Sequence, residues 1–159
     1  MSLFRFLKDN NAIAAVDFAL IVPTLLILFL GGFETTRYVL LHQKLSKTTS
    51  TMSDLISRLP SVTETEITNS FNAVQHLMEP YYDSGDIVVV ISSVLNDGVT
   101  TEVNWQRCGG GTPIVVSSVG VEGGAATLPN GLVLDTDEDV IIAEVFYNFS
   151  PVVAADIFG

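Results

Sequence analysis

Residues Ala12 to Phe33 read AIAAVDFALIVPTLLILFLGGF, a run of 22 positions that is apolar except for Asp17, Thr24 and a mid-run Pro23. As a helix it spans roughly 33 Å at about 1.5 Å per residue, matching a hydrocarbon core of about 30 Å. Arg5 and Lys8 precede it. The run is longer than the apolar centre of a secretory signal. Gly31-Gly32-Phe33-Glu34 also leads directly into a helical pattern, not a small-x-small exit. It therefore reads as a retained anchor. Charge leaves its orientation open, because Arg5 and Lys8 lie before the span while Arg37, Lys44 and Lys47 come soon after it.

The 159 residues suit one small domain plus this membrane segment. The chain beyond the span is long enough for a modest core. A net charge of -11 argues against nucleic acid as a partner, which needs clustered Lys and Arg. From Pro60 onward there are fourteen Asp or Glu and a single base, Arg107, whereas Arg37, Lys44, Lys47 and Arg58 lie between the span and Pro60. A basic stalk thus leads to an acidic head. That polarity would serve to order neighbours in an assembly, or simply to keep the surface solvated.

After Phe33 the helical pattern continues to Leu59, and Pro60 ends it. Glu34 and Arg37 are three apart on one face, a spacing that allows an ion pair of about 0.2 to 0.5 kcal/mol. Val39, Leu41, Leu45, Met52, Leu55, Ile56 and Leu59 form a loose apolar stripe interrupted by Ser46 to Ser53. The Thr-rich interruption is a weak helix former, so packing has to hold this part. A second helix is expected over Glu64 to Met78, with capping-box spacing at Thr63 and Glu66 and with Ile67, Phe71, Val74 and Met78 at helical intervals. Ile87 to Leu95 is β-branched, Asn96-Asp97-Gly98 is a hairpin turn, and Val99 to Gln106 returns as its partner. Cys108-Gly109-Gly110-Gly111 reads as a loop, and Ile114 to Val121 as a strand or as a short helix and loop. The Gly-rich stretch from Gly120 to Gly131 reads as irregular, and Val140 to Phe149 as a last strand. The fold class is α+β: a long N-terminal transmembrane and stalk helix, a second helix and a small antiparallel head.

Residues suited to catalysis are few. Cys108 and His76 would make a nucleophile pair only if the fold brought them within hydrogen-bond reach, and nothing in their spacing favours that. The Gly-rich loop lacks the Lys-Ser/Thr ending of a phosphate cradle. Asp135, Asp137, Glu138 and Asp139 have the oxygen ligands that calcium uses, but read better as a solvated acidic turn. Asn148-Phe149-Ser150 has the glycosylation pattern but is followed by Pro151. No enzyme activity, metal or cofactor is expected.

Asp17 is another matter. An ionised carboxylate at the middle of a bilayer costs about 2.5 to 3.5 kcal/mol, less near the interface, where a helix N-terminus also favours it. Its company is a stretch of small residues before it, Phe18 after it and Pro23 six positions on, where a backbone donor is lost and the carbonyl of Ala19 is crowded. Ala12-Ile13-Ala14-Ala15-Val16-Asp17-Phe18-Ala19-Leu20, then Pro23, Gly31, Glu34 and Arg37, together resemble the TadE/TadG-like minor pilins (pseudopilins) of tight-adherence, Flp-type, type IV-like pilus systems. That family's pattern is a small residue, an Ala/Val stretch, Glu-Phe-Ala-Leu, a proline, a leucine-rich run, then Gly and Glu-x-x-Arg. The resemblance covers about Asn11 to Lys47. The head matches only through a late strand ending in Tyr147, Phe149 and Pro151.

The resemblance implies a pilin-like fold and removal of Met1 to Ala12 by a prepilin peptidase. Ile13 then becomes the first residue and Asp17 the fifth. Ala12 stands where the family has Gly, and Asp17 where it has Glu. The implied organisation is a leader over 1–12, a transmembrane helix over 13–33, a stalk over 34–60 and a periplasmic head over 61–159. The chain is expected in a bacterial inner membrane with its N-terminus in the cytoplasm. Its expected partners are prepilin peptidase, other pilins or pseudopilins and the pilus assembly platform, through contacts at Asp17, Phe18 and Pro23. Entry into an extracellular pilus is left open. The alternative is a signal-anchored periplasmic binding domain that uses the span as a tether.

Overall fold

The structure is a computed structural model that describes residues 10–59, 61–111 and 113–152, with side chains from 14 onward. Met1 to Asp9, part of the expected leader, and Pro60, the expected helix stop, lie outside the described residues. Asn10–Ser57 is one 48-residue helix, α1, that runs through Pro23. Glu64–Met78 forms α2, and the strands are Ile87–Asn96 (β1), Thr101–Gly110 (β2) and Asp139–Tyr147 (β3). This is the α+β class expected from the sequence. Contacts divide the chain after Leu40: one unit holds the earlier part of α1, and the other is Leu41–Phe149.

The α1 segment within Leu41–Phe149 owes its helix to burial. Leu41, Thr48, Met52 and Ile56 are buried, with Leu45 packed beside them, on one face of the 3.6-residue repeat. Val39 and Leu55, expected on that face, are exposed, and Thr48 takes a place assigned to no apolar residue. The weak helix formers satisfy themselves locally: the hydroxyls of Thr49, Ser50 and Thr51 donate to the carbonyls of Leu45, Ser46 and Lys47. Regular helix stops at Ser57, two residues earlier than expected.

The expected capping box starts α2. Thr63 N–H donates to Glu66 Oε2 at 2.8 Å, and Glu66 N–H donates to Thr63 Oγ1 at 3.3 Å. At the other end, Lys44 Nζ donates to the carbonyl of Leu77 at 3.2 Å, meeting one of the carbonyls a helix terminus leaves open.

The sheet is antiparallel with order β2-β1-β3. As the central strand, β1 is covered on both faces, which is why its first eight residues are all buried and the sequence runs apolar there without alternation. One face, with Ile87, Val89 and Ile91, packs with Leu41, Met52 and Ile56 of α1 and with Ile67, Val74 and Met78 of α2. On the other face Val94 and Val103 meet Val119 and Leu134 from the long connection between β2 and β3. Ile114 to Val121 lies in that connection and forms neither strand nor helix.

The expected loop at Cys108-Gly109-Gly110-Gly111 is a correction. Cys108, Gly109 and Gly110 belong to β2, paired with Val90, Val89 and Val88, while Val99 and Thr100 stay in the turn. Tertiary packing accounts for the glycines. A Cβ on Gly109 would sit within the ring of Phe71 from α2, and Gly110, at φ +112°, would drive one into the carbonyl of Ile87. The last strand spans Asp139–Tyr147, one residue earlier at its start and two shorter at its end than expected.

Candidate assembly helix

The segment of α1 before Leu41 has the surface of a helix made for lipid or for other helices. Val16, Phe18, Leu20, Ile21, Leu25, Leu26, Ile27, Leu28 and Phe29 are all exposed, and apolar character is spread around the helix with no single apolar face. It is the one helix among the described residues long and apolar enough to cross a membrane. The hydroxyls of Thr35 and Thr36 do not break the pattern. Thr35 and Thr36 donate to the carbonyls of Gly31 and Gly32 at 2.8 Å, removing donors that would otherwise go unmet in hydrocarbon.

The predicted site residues fall along this helix. The backbone is helical through Ala12 and Ile13; their side chains lie outside the described residues. Asp17 and Phe18 are exposed. From Ile13 to Asp17 is four residues, about one helical turn and roughly 6 Å along the axis. Pro23 lies inside continuous helix. Arg37 Nη1 stands 3.3 Å from Glu34 Oε1, with both side chains about three-quarters buried or more.

Elsewhere the structure joins neither set of groups whose chemistry required proximity. Cys108 is an exposed residue of β2 paired with Val90, while His76 lies in the last turn of α2, and among the described residues no hydrogen bond joins them. In the acidic turn, Glu138 Oε2 accepts from the Asp135 N–H and Asp139 Oδ1 from Ser93 Oγ, both at 2.8 Å. Among the described residues no three His, Cys, Asp or Glu are grouped to hold a metal.

Arg107 carries a role that sequence reasoning did not assign. Its guanidinium lies 2.8 Å from Glu64 at the start of α2 and 3.1 Å from Glu122 in the long connection. Hydrogen bonding and charge from Glu64 first, then Glu122, hold it above its usual range. The single base after Pro60 thus ties α2 and the β2–β3 connection to β2. Net charge pointed to Arg107 as unusual, but sequence distance hid its partners.

The family model described as TadE-like protein matches residues 12–51. This stretch is TadE-like. The match covers about a quarter of the chain and overlaps the pattern from Ala12 to Arg37 on which the resemblance rests. It begins at Ala12 and runs through Pro23, Glu34 and Arg37 into the part of α1 that packs in the head. No curated protein and no solved structure matches the chain.

Proposed function

We propose that the chain is a non-enzymatic minor pilin or pseudopilin of a Tad-type pilus, cut by prepilin peptidase between Ala12 and Ile13 and acting through helix–helix contacts between subunits. The observation that carries this reading is the TadE-like match starting at Ala12, the residue before the cut, on a helix whose apolar surface is open from Val16 to Phe29. Residues 1–12 are then the leader, 13–33 the membrane helix, 34–60 the stalk and 61–159 a periplasmic head, with the N-terminus cytoplasmic.

Cleavage gives Asp17 its purpose. Removing the leader creates an ammonium on Ile13, one turn from the Asp17 carboxylate. Opposite charges on one helical turn, or on adjacent subunits, offset the cost of a carboxylate in lipid. Pro23 removes one backbone hydrogen bond in the same region, so the helix has a place to adjust as subunits leave the bilayer.

Asp17→Ala separates assembly from anchoring. It removes a charge from the span, so membrane insertion is expected to be kept or improved while recovery in the pilus fraction falls. Undiminished assembly of Asp17→Ala would leave the span a tether and favour a signal-anchored binding domain.

A further inference from the structure

The Leu41–Phe149 unit carries a groove of about 570 Å³ between the end of α1, the residues after it and the hairpin end of the sheet. Ile56, Ile141 and the half-buried Trp105 line it with apolar surface, and Ser53, Ser57 and Asp139 line it with oxygen. The hydroxyl protons of Ser53 and Ser57 are already used. Ser53 Oγ donates to the carbonyl of Ile141 at 2.8 Å, and Ser57 Oγ to that of Asp54 at 3.2 Å. Asp139 Oδ1 accepts from Ser93 Oγ at 2.8 Å, and among the described residues no ion pair reaches its carboxylate. The hydroxyls of Ser53 and Ser57 therefore present lone pairs, and the carboxylate adds more. An acceptor-rich, acidic groove with an indole wall complements a group that only donates and carries positive charge on an aliphatic stem.

The same unit has one base suited to it. Of its four Lys and Arg, Lys44 donates to Leu77, Arg58 pairs with Asp54 at 2.8 Å, and Arg107 pairs with Glu64 and Glu122. Lys47 is exposed, and among the described residues its side chain makes no hydrogen bond or ion pair. We propose that Lys47 of one copy seats in the Trp105–Asp139 groove of the next. Donor and acceptor are different patches of one chain, so a head-to-tail arrangement of this contact leaves each copy with a donor and a groove for further neighbours. It rests on the reading of the chain as an assembly subunit and names a contact that orders the heads.

The test uses the full chain in detergent, with labelled and unlabelled copies mixed and a zero-length carbodiimide coupling carboxylates to amines. Peptides joining Lys47 of one copy to Asp139 of the other are expected. Trp105, the only tryptophan, is expected to change its emission with protein concentration. Lys47→Glu and Asp139→Lys should each weaken self-association by about tenfold or more, as loss of a desolvated charge pair does. Asp139→Asn, which keeps an acceptor for Ser93, should do the same. Mixing Lys47→Glu with Asp139→Lys should restore pairing, because the carboxylate introduced in one variant then meets the ammonium introduced in the other. No coupling between copies, or a mixture no better than its components, overturns the contact. With the chain made together with its own prepilin peptidase, the mass of the mature chain in the same samples keeps the two ideas apart: a processed N-terminus without the contact removes only the contact, and an unprocessed one removes the pilin reading.

Discussion

Replacing Gly109 by Ala tests how α2 is seated on the sheet. An added Cβ falls within the ring of Phe71, against its Cγ and both Cδ atoms, so the whole ring must move, not only its far end. Phe71 is packed against the main core, and inserting one carbon into packed surroundings costs about 1 to 3 kcal/mol. At about 4 °C per kcal/mol for a unit of this size, the midpoint should fall by about 4 to 12 °C. The backbone at Gly109 does not require glycine, since its φ is not in the left-handed region. The cost should therefore vanish when Phe71 is Ala, where Gly109→Ala should be neutral or slightly stabilising. Gly110→Ala is the control. Its penalty comes from φ +112° and the carbonyl of Ile87, so Phe71→Ala should not relieve it. Thermal unfolding of the full chain in detergent, followed by Trp105 emission, reads each of these single and paired variants. An unchanged midpoint for Gly109→Ala, or an equal loss with and without Phe71, would refute the packing account of the glycine.

Three further outcomes are expected of the head. Thr63→Ala removes the side-chain half of the capping box and should cost about 1 kcal/mol, with faster amide exchange confined to the first turn of α2. Met52→Ala, at a position with no exposed surface, should cost about 2 to 5 kcal/mol, read as a lower midpoint in thermal unfolding. The N–H groups of Thr100 and then Val99 hold the Asp97 carboxyl below its usual range. Its folded pKa lies under the unfolded value of about 3.9, so its contribution is complete above that pH and is lost as pH falls through the folded value. The stability difference between the chain and Asp97→Asn should be constant from neutral pH to about 5 and shrink below about 4. A difference that grows on acidification would contradict the assignment.

Legibility in the sequence divides by the range of the physical cause. The long apolar helix, the α2 cap at Thr63 and Glu66, the turn at Asn96-Asp97-Gly98 and the apolar run of β1 are local patterns, and each appears in the structure. Cys108 to Gly110 read as a loop because glycine is a local breaker, whereas here Phe71, far off in sequence, decides it. Thr48 is a hydroxyl residue that joins the core through a partner also distant in sequence: its Oγ1 donates to Met78 Sδ at 3.3 Å. Arg107 stood out by charge, but its partners Glu64 and Glu122 are 43 and 15 positions away. The pattern from Ala12 to Arg37 is likewise a linear one, and the TadE-like match over residues 12–51 spans it.

The proposed cut between Ala12 and Ile13 underlies the roles proposed for Asp17 and the location proposed for the head. Intact-mass and N-terminal analysis of the chain, made together with its own prepilin peptidase, measures it directly. A mature chain beginning at Ile13 is the predicted result. A chain that retains Met1 to Ala12 under those conditions would contradict the account.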